Sequence, residues 1–66
     1  GGYMETKDAD RIKVGEILAE AMANKITLDD AKKRIKEILP FVIKGFDEAN
    51  DAPELEMIIK HELKWQ

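Results

Sequence analysis

Two residue types that commonly serve as enzyme nucleophiles are missing from this sequence. It contains no serine and no cysteine, so neither side chain can serve as a nucleophile. Its one histidine, His61, offers no histidine pair to activate a metal-bound water, and without cysteine there is no thiolate metal site. Acidic residues are numerous, but they sit at helix starts and on charged faces, with no apolar setting that would make one a general acid. The glycines at 1, 2, 15 and 45 form no phosphate-cradling loop. Asp47-Glu48-Ala49-Asn50-Asp51-Ala52 begins like a calcium loop but does not continue as one. Ala49, Ala52 and Ile58 occupy its third, sixth and twelfth positions, where a ligand, a glycine and a glutamate are needed. No catalytic residue, metal site or cofactor is expected, and the chain is expected not to be an enzyme. A domain this small is also expected to hold no pocket of ~300 Å³ or more.

Binding chemistry remains, and two sets of residues carry it. Gly15, Ala19 and Ala23 recur every fourth position and would form a smooth ridge along one helix face. Glycine inside a helix costs ~1 kcal/mol against alanine, which suggests that Gly15 serves a close approach. That approach is either to another helix of this chain or to a partner helix. Phe41 and Ile43, beside Pro40, fall off the apolar stripe of their segment and join the candidate partner-binding residues. The plainer reading turns both towards the bundle ends. The second set is basic: Lys32, Lys33, Lys36 and Lys44, with Arg34. Residues 25–45 hold six cationic and three anionic side chains in a chain of net charge −3. Such a face can contact phosphates. Against that stand the acidic balance of the chain, the lack of interleaved aromatics, and Asp29 and Asp30 at the helix end that usually reads bases. The expected function is therefore a non-enzymatic protein–protein interaction or regulatory module, with another protein or a second copy as partner. A small nucleic-acid-binding regulator is the alternative.

These residues need elements to position them, and the periodicity is helical throughout. The first helix is expected from about Asp8 to Lys25, with Thr6 or Asp8 as cap and acids in its first turn. It is apolar on two sides, Val14, Leu18, Ala21 and Met22 on one and Ile12, Gly15, Ala19, Ala23 and Ile26 on the other. A helix of that kind has neighbours on both. The second helix starts at the cap Thr27, with Ile26 positioned to staple onto Ala31 or a neighbour. Its stripe is Leu28, Ala31, Ile35, Ile38, Leu39, Val42, Phe46 and Ala49. The third starts at Asp51-Ala52-Pro53-Glu54, with a capping acid, an early proline and a glutamate at the third helical position. It buries Leu55, Ile58, Ile59 and Trp65 and leaves Glu62 at the rim.

Pro40 lies inside the second stripe and removes a helix hydrogen bond. The stripe keeps its phase across the proline, which favours one kinked helix over a break. The expected fold is an all-α, three-helix, up-down-up bundle with a proline-kinked middle helix, or four helices if the chain splits at Pro40. Residues 8–66 form the single domain. Residues 1–7 are expected to be a flexible N-terminal segment or a cloning remnant. No apolar run approaches the ~18 residues of a membrane span, and no signal sequence is evident. The lack of cysteine fits the reducing cytoplasm.

The stretch Ile17–Leu39, with Lys25-Ile26-Thr27-Leu28-Asp29-Asp30 at its turn, resembles the helical hairpin of the short C-terminal domain (SHOCT) family. The resemblance covers about a third of the chain. It implies a hairpin of the kind found in small bacterial oligomerisation modules. The family's glycine before the turn is replaced here by Asn24-Lys25.

Overall fold

A computed structural model describes residues 8–65. They form three helices: α1 (Asp8–Met22), α2 (Leu28–Ile38) and α3 (Ala52–Leu63). The expected all-α, three-helix fold is what the chain adopts. Thr6, a proposed cap, lies outside the described residues.

Each helix boundary has a local cause. α1 stops because Asn24 takes a left-handed conformation, φ 61°. The N–H of Lys25 then donates to the carbonyl of Glu20 and that of Asn24 to Ala21, closing the last turn back on itself. Asparagine adopts this conformation more readily than most residues with a side chain, so it does the work of a terminal glycine. Thr27 caps α2, its hydroxyl accepting from the N–H of Asp30 at 3.0 Å. Ile26 is half-buried in a small cluster with Ala21, Ala31 and Ala52, so the staple forms. At α3, the Asp51 carboxylate accepts from the N–H of Glu54 at 2.8 Å. The reciprocal contact reaches one residue further out than a standard capping box: Glu54 Oε1 accepts from the N–H of Asn50 at 2.7 Å.

The kinked middle helix is a correction. α2 ends at Ile38, and residues 40–51 are turns and irregular chain. Proline disfavours helical backbone in the residue before it, and Leu39 lies at φ −112°, ψ 85°. The chain does not resume a helix, so the split into four helices is not seen either. From Leu39 to Ile43 the side chains alternate as on an extended strand. Leu39 and Ile43 are buried, Phe41 is half-buried, and Pro40 and Val42 are exposed. Gly45, at φ +84°, then allows a turn. The N–H groups of Phe46, Glu48 and Ala49 close it on the carbonyls of Ile43, Gly45 and Phe46.

This irregular segment runs back along α2. Lys32 Nζ donates to the carbonyls of Asp47 at 3.0 Å and Ala49 at 2.8 Å. Lys36 pairs with the Asp47 carboxylate. The chain therefore passes up in α1, down in α2, up through 40–51 and down in α3. The second upward pass, expected of the third helix, is made by the irregular segment, so the expected up-down-up order of the helices is corrected. α3 consequently lies antiparallel to α1. Ala52, at its start, meets Ala21 near the end of α1. Trp65, just past its end, meets Arg11 near the start of α1.

The core is formed by Val14 and Leu18 of α1, Ile35 of α2, Leu39, Ile43, Phe46 and Ala49 of the return segment, and Leu55 and Ile59 of α3. Val14, Ile35, Leu55 and Ile59 are almost wholly enclosed. Burying a side chain of that size stabilises by ~1.5–3 kcal/mol. The return segment thus supplies core residues in the place where a longer α2 was expected to supply them.

Candidate functional site

α1 shows two faces with opposite fates. Val14, Leu18 and Ala21 are buried against α2 and α3. Among the described residues, the second face is open except at the half-buried Ile26. Gly15, Ala19 and Ala23 are all exposed, as the sequence pattern places them together on one ridge. Ile12 is 64% exposed and Met22 41% exposed, and both flank the ridge. A Cβ built on Gly15 meets nothing within 4 Å. Among the described residues, the small size of Gly15 therefore serves no close contact.

Phe41 lines a shallow groove of about 390 Å³ with Pro40, Val42 and Lys36, floored by Ile35, Leu39 and Phe46. Ile43 also lines this groove, from its inner side. It is only 8% exposed and sits in the core, whereas Val42 is 93% exposed. The cause is the change from helical to extended backbone at Leu39, which moves alternate side chains to opposite sides. Ile43 is thus largely enclosed rather than exposed, and Val42 is the exposed apolar side chain of this segment.

The basic residues do not assemble into one free patch. Lys32 spends its ammonium on two main-chain carbonyls, and Lys36 on Asp47. Lys36 also stands over the Phe46 ring, 5.6 Å from its centroid. Lys33 is exposed on the outer side of α2. Lys44 lies elsewhere, beside Glu54, Met57, His61 and Glu62. Half of the proposed phosphate-binding set thus contacts the return segment, Lys36 through an ion pair exposed to solvent.

A second groove, of about 550 Å³, runs between α1 and α3 and is lined by Asp8, Arg11, Ile12, Gly15, Leu18, Glu56, Lys60 and Trp65. The Arg11 guanidinium stands 5.4 Å from the Trp65 ring centroid. Trp65 is brought there by the left-handed Lys64, φ 57°, which turns the chain back so that the Trp65 N–H reaches the carbonyl of Lys60 at 2.9 Å. These two open grooves correct the expectation that the chain has no hollow of such size. The Arg11–Trp65 contact had no signal in the sequence, because it depends on the direction of α3. Among the described residues, no group of three or more histidine, aspartate and glutamate side chains is arranged to hold a metal ion. No helix among them is long and apolar enough to cross a membrane.

No family model, curated protein or solved structure matches this chain.

Proposed function

We propose that this chain is a cytoplasmic, non-enzymatic interaction module that docks a partner protein, or a second copy of itself, through the outer face of α1. The observation that carries this reading is the uncovered ridge. Ile12, Gly15, Ala19, Met22 and Ala23 expose apolar surface along the helix, and Gly15 stays small although nothing among the described residues requires it. Glycine costs helix stability, and a cost without an internal use points to an external one. The missing nucleophiles and metal-ligand pairs support binding over catalysis. The absence of cysteine supports a reducing compartment.

Sedimentation equilibrium over a wide concentration range, together with affinity capture from the source cell, tests the proposal. Wild type is compared with Gly15→Leu and Ile12→Asp. Both substitutions alter only exposed positions, so the fold is expected to persist, as circular dichroism will check. Loss of self-association, or of a specific captured protein, in both variants supports docking on this face. Unchanged mass and unchanged capture in both variants overturn it.

A further inference from the structure

We draw no further inference here: the strongest candidate, the apolar groove between the end of α2 and the return segment, bordered by Pro40, Phe41 and the exposed Val42, is an unpartnered surface on which nothing in the structure shows what covers it.

Discussion

Gly15→Ala is expected to make the monomer more stable. Gly15 is at the centre of α1, and an added Cβ meets no atom of the described residues within 4 Å. The substitution therefore carries no steric penalty. It gains helix propensity, ~0.8–1.0 kcal/mol in model helices. It also reduces the freedom of the unfolded chain, and measured gains from such exchanges are ~0.4–1 kcal/mol. The two figures describe overlapping effects, so ~0.5–1 kcal/mol is the expected gain. For a domain of this size that raises Tm by roughly 2–8 °C. Gly45→Ala is the internal control with the opposite sign. Gly45 lies at φ +84°, where a side chain is strained, so that variant is expected to lose ~1 kcal/mol or more. Urea melts read both. They should be run at low protein concentration and repeated at several concentrations, because a dimer would make stability concentration-dependent. If Gly15→Ala weakens the monomer at every concentration, something in this chain packs on that ridge, and the docking proposal loses its main support.

Three further outcomes follow from the same contacts. Lys32→Met keeps most of the side-chain stem but removes both bonds to the carbonyls of Asp47 and Ala49. One of these bonds is exposed, so the expected loss is ~1–2 kcal/mol rather than two full charge-assisted bonds. Lys33→Met, at an exposed position, should stay within ~0.5 kcal/mol of wild type in the same urea melts, and equal melts for the two would refute the lysine clamp. Ile43→Ala is expected to cost ~2–4 kcal/mol and Val42→Ala less than ~0.5 kcal/mol. The reverse order would restore the continuous helix through Pro40. In a gel shift on random-sequence DNA at low salt, no complex is expected, since Lys32 and Lys36 are engaged within the chain. A shift that fades with added salt would reinstate the phosphate-binding reading.

The helix starts were the most legible part of the fold because each depends on a few adjacent residues. Thr27 and Asp51 cap as their types require, and Ile26 packs onto the cluster around Ala31. The path after Pro40 was not legible, for a physical reason. Phe46 and Ala49 keep helical phase with Ile35 and Leu39, and all four are indeed buried. A turn at Gly45 delivers the same two side chains to the core by a different backbone route. Periodicity therefore could not separate the two routes. The discriminating pair was Val42 and Ile43, adjacent apolar residues whose burial is exchanged between helix and extended chain. A stronger weight on the restriction that Pro40 imposes on Leu39 would have favoured the break.

The candidate site was half legible. The two apolar faces of α1 can be read from spacing alone, and so can the Gly15–Ala19–Ala23 ridge. Which face turns inward depends on where α3 lies, and that depends on the return segment. In the expected path the kinked α2 would carry the chain away from its own start, and α3 could have covered the second face of α1. In the observed path, Lys32 and Lys36 draw residues 47–49 back beside α2, and α3 begins next to Ala21. α3 then packs on the Leu18 side of α1, with Ile12 and Gly15 on the open groove between the two helices, and leaves Ala19 and Ala23 exposed. The same two lysines that looked like a phosphate-binding face thus help decide which face of α1 remains free. Binding by the ridge and binding by the basic patch are consequently not independent hypotheses.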